Sequence, residues 1–485
     1  MRPAVDHDRG ARRPLHAVLP RHHAPPDGVP RGRPAARERA AVNVLAHADR
    51  AGTAGIRPWL DDAAERLGIR AEQVPLDALD GWETDPDAGA VRHRSGRFFS
   101  IEGLDVRRPG HPVSHWQQPI ISQPEIGMLG ILVKRFGGVP HGLMQLKPEP
   151  GNWGGLQISP TVQATRSNYT GVHQGARVPY LDHFLNAAAR HRIVTDVHQS
   201  EHGSWFLRKR NRNMVVEVTE DVEAIPGFRW LPLAELRQLL RVDDLVNMDT
   251  RSVLSCLPRV PTGGASAHPT SDVLAWIARG RAGSQMAVER RPLGRLAGWR
   301  RDAGRISHES GRFFDVIGVR VEAVGREIGR WDQPMIAPHG VGIVAFLTAR
   351  VDGVPHVLAQ LRAEPGCADT AELAPTVQCT PANYDVLPPA ARPPFLDDVL
   401  GADPSSIRFD TVLSDEGGRF HHSRSRHLVV ELDERAERPE RPGYRWLALD
   451  QLHELLRYGG RVNMQTRSLL ACLSALTPPT DTTAW

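Results

Sequence analysis

The chain has 485 residues, 24% of them charged and 40% apolar, with a formal net charge of +4. Ten arginines against five acids put +5 in residues 1–50 and leave −1 for everything after them, so the charge gives no reason to expect a nucleic-acid partner for the body. No apolar run approaches the roughly 18 residues a membrane span needs, and Cys256, Cys367, Cys379 and Cys472 form no CxxC pair, which predicts buried reduced thiols in a cytoplasmic protein.

Residues 1–53, rich in Arg, Pro, Gly, Ala and His, have no apolar period and read as a disordered basic segment without a secretory h-region. A translation start placed upstream of the native one is one expectation for this head. Trp59–Leu67 then has helical spacing, with Trp59, Ala63 and Leu67 on one face. Strand-like stretches come next at Phe98–Val106, Ile126–Lys134, His141–Lys147, Leu156–Thr165 and Met214–Val218. Tyr180–His191 and Leu233–Leu240 have helical spacing, and Asp249 or Thr250 is placed to cap a helix through Leu257. Strands with a few helices and no strict alternation predict an α+β fold.

The chain repeats itself. Glu149–Tyr169, EPGNWGGLQISPTVQATRSNY, returns at Glu364–Tyr384 as EPGCADTAELAPTVQCTPANY, and the offset of 215 (149 to 364) holds without a gap from Ser95 to Tyr169. A period of this length predicts two domains, each able to bury its own core, in place of a solenoid. The expected boundaries are 54–257 for the first repeat, 258–270 for a Pro/Gly/Ser/Thr-rich linker, 271–477 for the second and 478–485 for a tail.

Period two sorts Leu156–Thr165 into an apolar face and a polar one, Gln157, Ser159, Thr161, Gln163 and Thr165. The second copy keeps Thr376, Gln378 and Thr380 there. In the preceding strand Gln145, Lys147 and Glu149 share a side, answered by Gln360, Arg362 and Glu364. Wetted positions drift after duplication, so retention of these side chains points to a ligand. A cation with amides and an acid suits a phosphorylated polar ligand, with Lys147 or Arg166 for phosphate and Trp116 or Trp153 for a ring. His198, Glu201 and His202 form a metal-like cluster, but the second repeat offers Leu413, Glu416 and Gly417 at the same offset and the spacing is no helical HExxH, so no metal is expected. The basic runs Arg208–Arg210 and Arg424–Arg426 read as solvated turns.

Trp116-Gln117-Gln118-Pro119 with Trp331-Asp332-Gln333-Pro334, GVPHGLMQLKPEPG with GVPHVLAQLRAEPG, and SPTVQATRSNY with APTVQCTPANY together resemble the NDP-hexose 2,3-dehydratases of bacterial deoxysugar biosynthesis. The resemblance runs from Trp59 to Leu473. It implies a Nudix-like mixed-sheet domain in each repeat, a homodimer, and a dTDP-4-keto-6-deoxy-D-glucose substrate that loses water across C2 and C3. It implies no cofactor, and a 3-ketoreductase acting on the unstable 3,4-diketo product. The metal-binding Nudix box is absent, which argues against the rival reading as a nucleotide-sugar pyrophosphatase; a non-catalytic nucleotide-sugar binding protein is the other rival.

Under that resemblance the first repeat supplies Glu149 or His141 as base and Lys147 or Tyr169 as donor to the enolate. Trp116, Gln118, Gln145, Asn152, Trp153, Thr161, Gln163, Arg166, Asn168 and Arg251 are expected to hold substrate. Asn152, Trp153, Gln157, Ser159 and Arg166 give way to Cys367, Ala368, Glu372, Ala374 and Pro381 in the second repeat. The second pocket, with Trp331, His356, Arg362, Glu364, Gln378 and Tyr384, is therefore expected to be vestigial.

Overall fold

The computed structural model describes residues 53–165, 177–325, 328–433 and 440–476. The opening helix, Arg57–Arg66, carries Pro58 in its first turn, where the missing N–H costs nothing, and buries Trp59, Leu60 and Ala63. Mixed β-sheet dominates the rest of the chain, with nine α-helices among the described residues. Each repeat contributes a seven-stranded sheet in which one neighbouring pair is parallel: Gly127–Phe136 with Arg210–Glu217, and Gly342–Val351 with Arg424–Glu431. An α+β chain built by tandem duplication is what the residues predict.

The two smaller, five-stranded sheets break the expected independence of the repeats. Gly68–Val74 leaves its own repeat and pairs antiparallel with Phe314–Val324, Gly68 opposite Val324 and Val74 opposite Gly318. Ala287–Arg291 returns the exchange on Ser100–Arg107, Ala287 opposite Arg107. Each repeat's first strand thus completes the other's sheet. One shared apolar cluster fills the space between them, drawing Leu76, Leu79, Phe99, Ile121 and Phe206 from the first repeat and Leu293, Phe314, Ile336 and Phe420 from the second.

Paired helices seal the junction. Met248–Ser255 and Met464–Ser474 are capped alike, Asn247 accepting from the Thr250 amide at 2.8 Å and Asn463 from the Thr466 amide at 2.9 Å. The cap is Asn247, not Asp249 or Thr250. Arg251 donates through Nε to Ser468 Oγ (3.1 Å), and through its terminal nitrogens to the Val246 and Ser414 carbonyls. Arg467 mirrors it on Ser252 Oγ (3.0 Å), Val462 and Ser200. Both arginines have no solvent exposure. Arg251 was expected at the substrate; it is instead spent on the junction and does not line the cavity.

Two further expectations change for physical reasons. The stretch from Leu156 to Thr165 is not one strand: Leu156–Ser159 pairs with Val139–Pro148, and after Pro160 and Thr161 the chain crosses to pair Val162–Ala164 with Gly127–Phe136. Alternation therefore breaks at the crossover. Likewise Tyr180–His191 divides into Leu181–Leu185 and Ala187–Arg190, with Asn186 between them.

The repeated Glu-Pro-Gly turn is where the two repeats come closest. The Gly151 amide donates to the Gly417 carbonyl at 2.8 Å, and a Cβ on Gly151 would sit 1.8 Å from the Phe420 carbonyl oxygen. Gly366 meets the Gly203 and Phe206 carbonyls in the same way. Only glycine permits this approach. Gly151→Ala is expected to lower unfolding free energy by about 1–3 kcal/mol through forced displacement of that loop; a urea transition at the wild-type midpoint would contradict the contact.

Candidate active site

A cavity of about 660 Å³ opens between the repeats, a size suited to a drug-sized or nucleotide-sized ligand. Lys147, Glu149, Gln163 and Thr165 line one wall, from the strand ends beside the Glu-Pro-Gly turn. Trp331, Gln333, Glu416, Gly418 and Arg419 of the second repeat line the facing wall. Trp82, Phe98 and Phe99 make an aromatic side, and the exposed Arg97 and Arg330 stand at the rim.

Glu149 is the centre of the first wall. It accepts from Gln163 Nε2 at 3.0 Å and lies 3.6 Å from Lys147 Nζ. Lys147 also donates to the Gln163 carbonyl at 3.1 Å. Asn247, already fixed as a helix cap, donates to Gln163 Oε1 at 3.0 Å, so the amide is aimed by the junction helix itself. On the facing wall Trp331 Nε1 donates to Gln333 Oε1 (2.9 Å) and Gln333 Nε2 to the Gly418 carbonyl (2.6 Å). Arg419 lies 4.1 Å over the Phe99 ring and donates to Gln123 Oε1.

Four carboxyl groups of the lining act on one another: Glu149, Glu201, Asp249 and Glu416. A Cβ built on Gly418 would stand 2.6 Å from Glu416 Oε1 and 3.7 Å from Glu149 Oε1, so carboxyls of the two repeats flank one glycine. Burial, with Glu149 and Glu201 adding like charge against the relief given by Arg419, pushes Glu416 up to about 8. Burial and the same acids also raise Asp249 well above the usual carboxylate range. The site therefore holds a carboxylic acid that is protonated at neutral pH beside a carboxyl braced by Lys147, the combination that acid–base chemistry requires.

The remaining expected residues lie elsewhere. His141 shares a strand face with Lys147 but sits six residues away, about 20 Å along the strand; its Nδ1 meets the Val139 carbonyl at 2.9 Å and its ring packs edge-on against Phe136. Gln145 donates to the Pro160 carbonyl at the crossover. Thr161 bridges strands, donating to the Leu143 carbonyl and accepting from the Leu132 amide at 2.8 Å. Asn152 donates to the Gly155 carbonyl, and Trp153 packs against His422 beneath Arg424; neither lines the cavity. Tyr169, Arg166 and Asn168 lie outside the described residues.

Trp116 and Gln118 belong to the opposite end. Gln118 donates to the Ser204 carbonyl, and Ser204 Oγ in turn donates to Glu364 Oε1 at 2.8 Å. The strand exchange carries each Trp-x-Gln-Pro segment to the other repeat's Glu-Pro-Gly turn, so Trp331, assigned to the second pocket, faces the first. At that second turn Glu364 Oε1 accepts from Arg362 (2.9 Å), Gln378 (3.1 Å) and Ser204 (2.8 Å). His356 is buried with both ring nitrogens engaged, near the Val354 carbonyl and the Ala267 amide. Tyr384 lies in the short 3₁₀ helix Pro381–Asp385, its phenol raised by burial.

Glu416, Arg419, Lys209, Glu201 and Asp249 were not foreseen at the site. The loop that carries the first two is also aligned one residue out when the offset of 215 is extended to it. Phe206 and Phe420 make equivalent bridges to Ile121 and Ile336, which sets an offset of 214 (206 to 420) for this segment. His202 then corresponds to Glu416 and Trp205 to Arg419, replacing the match of His202 with Gly417. Lys209, read as part of a solvated turn, is buried and donates to the Glu125 carbonyl.

The model of the NDP-hexose 2,3-dehydratase family matches residues 53–257 and again 270–473. A dTDP-4-dehydro-6-deoxy-α-D-glucopyranose 2,3-dehydratase of Streptomyces violaceoruber is 49% identical over 436 residues, 87% of this chain and 97% of the relative. Enzymes with the same name from Amycolatopsis orientalis and Saccharopolyspora spinosa are 46% and 45% identical, each over 90% of their length. The chain belongs to the NDP-hexose 2,3-dehydratase family. As a member of that family it is a hydro-lyase, and the duplicated motifs are family motifs carried in both halves.

Protonation of Glu416 couples stability to pH. Glu416 unfolded ionises near 4.5, whereas in the folded dehydratase it keeps its proton to about 8. The unfolded state binds fewer protons between those values, so stability falls as pH rises across that window. Glu416→Gln is expected to flatten the fall, measured as urea unfolding at steps from about pH 5 to about pH 8.5; slopes equal to wild type would contradict the assignment.

Proposed function

We propose that this chain eliminates water across C2 and C3 of dTDP-4-keto-6-deoxy-D-glucose, the reaction in the names of its relatives, and does so in the cavity between its repeats. The observation that carries the site assignment is the meeting of Glu149 and Lys147 of the first repeat with Glu416 of the second in that cavity, the two carboxyls on either side of Gly418. The C4 ketone acidifies the C3 proton, and Glu149 is the base that takes it. Lys147 donates to the C4 oxygen as negative charge develops there. Glu416 gives its proton to the departing C2 hydroxyl, so water leaves with one proton from the acid while the base keeps the other. The enol that remains tautomerises to the 3,4-diketo-2,6-dideoxy sugar.

Gln163 orients Glu149, Trp331 and Phe98 offer faces for the base, and Arg97 and Arg330 at the rim suit the diphosphate. The second turn, where three donors from the protein converge on Glu364 Oε1, is vestigial in this reading. The parallel pair within each large mixed sheet supports a Nudix-like description of the repeats. The same reading takes the enzyme as a cytoplasmic homodimer whose unstable product is consumed by a 3-ketoreductase.

Incubation with dTDP-4-keto-6-deoxy-D-glucose and a 3-ketoreductase is expected to yield a reduced 2-deoxysugar nucleotide. Glu149→Gln and Lys147→Met are each expected to slow turnover by about 10²–10⁴-fold. Near-normal turnover in both variants, release of dTMP, or unchanged substrate with the wild type would each reject the proposal.

A further inference from the structure

Away from the cavity, three side chains with metal-binding atoms converge beside the first large sheet. His183 lies in the helix Leu181–Leu185, His191 closes Ala187–Arg190, and Glu220 comes just after the strand Arg210–Glu217. His183 Nδ1 is 3.1 Å from His191 Nε2 and 3.8 Å from Glu220 Oε1, and Glu220 Oε2 is 3.6 Å from His191 Nδ1. Zinc with bonds of about 2.0–2.1 Å to nitrogen and oxygen holds neighbouring tetrahedral ligand atoms about 3.3 Å apart. One ligand atom from each residue lies within 4.8 Å of the other two, so small side-chain rotations bring the three to that spacing.

Its chemistry also fits. Imidazole nitrogen with one carboxylate is a borderline donor set that zinc accepts and that magnesium or calcium does not favour. The His191 side chain is 1% exposed and its Nδ1 has no hydrogen-bond partner, a buried polar atom that a bound cation would satisfy. His183, at 21%, and Glu220, at 42%, leave a path from solvent. Glu220 is also anchored through its backbone, its carbonyl accepting from Lys134 Nζ at 3.0 Å.

We propose that His183, His191 and Glu220 bind one divalent transition metal of the zinc type, three protein ligands with the fourth position open to water. The second repeat carries Asp398 where the first has His183, in the equivalent helix Leu396–Leu400, so the site belongs to the first repeat alone. Its position gives it a use. The segment it would tie down begins at Val178, which lines the cavity, and Tyr180 Oη already donates to the Glu223 carbonyl just beyond Glu220. A metal would add a second clasp between the same two segments, and the dehydration chemistry does not pass through it.

Full-length protein stripped with a chelator, dialysed into metal-free buffer and titrated calorimetrically with zinc chloride tests this. One zinc per chain is expected, weakened more than about tenfold by His183→Ala or His191→Ala, since even removal of an outer-shell partner costs about 10–100-fold. His198→Ala, at an exposed histidine on the adjoining strand, should bind as wild type does. If His191→Ala fails to fold, Glu220→Gln carries the test, with weaker zinc binding expected from loss of the carboxylate charge. No zinc uptake by the wild type, or uptake unchanged in the ligand variants, would overturn the site.

Discussion

Two arginines without solvent exposure, Arg251 and Arg467, hold the halves of this protein together by reciprocal donation to Ser468 and Ser252. Backbone carbonyls from both repeats receive the terminal nitrogens, in the place a carboxylate would take in an ion pair. Taking such a cation out of water costs several kcal/mol, and leaving one donor unmet inside adds a penalty of about 1–3 kcal/mol. The junction is therefore stable only when both repeats present their carbonyls together. Exchange of the first strands enforces the same condition in backbone hydrogen bonds, so neither repeat finishes its own smaller sheet.

This constraint also makes the cavity. With the strands exchanged, each Glu-Pro-Gly turn faces a loop of the other repeat, and its character depends on what that loop carries. At Glu149 the loop brings Glu416 and Arg419, and space remains. At Glu364 it brings Ser204 in the place of Gly418, and the Ser204 hydroxyl donates to Glu364 Oε1. The two turns differ in themselves, Asn152 and Trp153 against Cys367 and Ala368, and in the loop each faces, Glu416 and Gly418 against His202 and Ser204.

Much of the fold was legible in the residues because it is local. Apolar period located the strand at Gly127–Phe136 and the helix at Leu233–Leu239, and the constant offset revealed the duplication. Lys147, Glu149 and Gln163 were legible together because period two predicts which side chains share a face. Period two is no guide to ligand contact at Gln157 and Thr161, which do internal work: Gln157 donates to the Asp244 carbonyl and Ser414 Oγ, and Thr161, kept as Thr376 in the second repeat, donates to the Leu143 carbonyl. Buried backbone needs such partners, and retention of a polar residue after duplication does not separate that need from ligand binding. Glu416 and Arg419 lay beyond any reading of one strand, because only the strand exchange brings the two repeats' segments face to face.

Both repeats build the one proposed substrate cavity. A crystal structure of the protein with dTDP bound tests it most directly. The nucleotide is expected between Lys147 and Gln163 of the first repeat and Trp331 and Arg419 of the second, with contacts from both walls. Nucleotide found only beside Arg362 and Glu364, or held by residues of a single repeat, would contradict it.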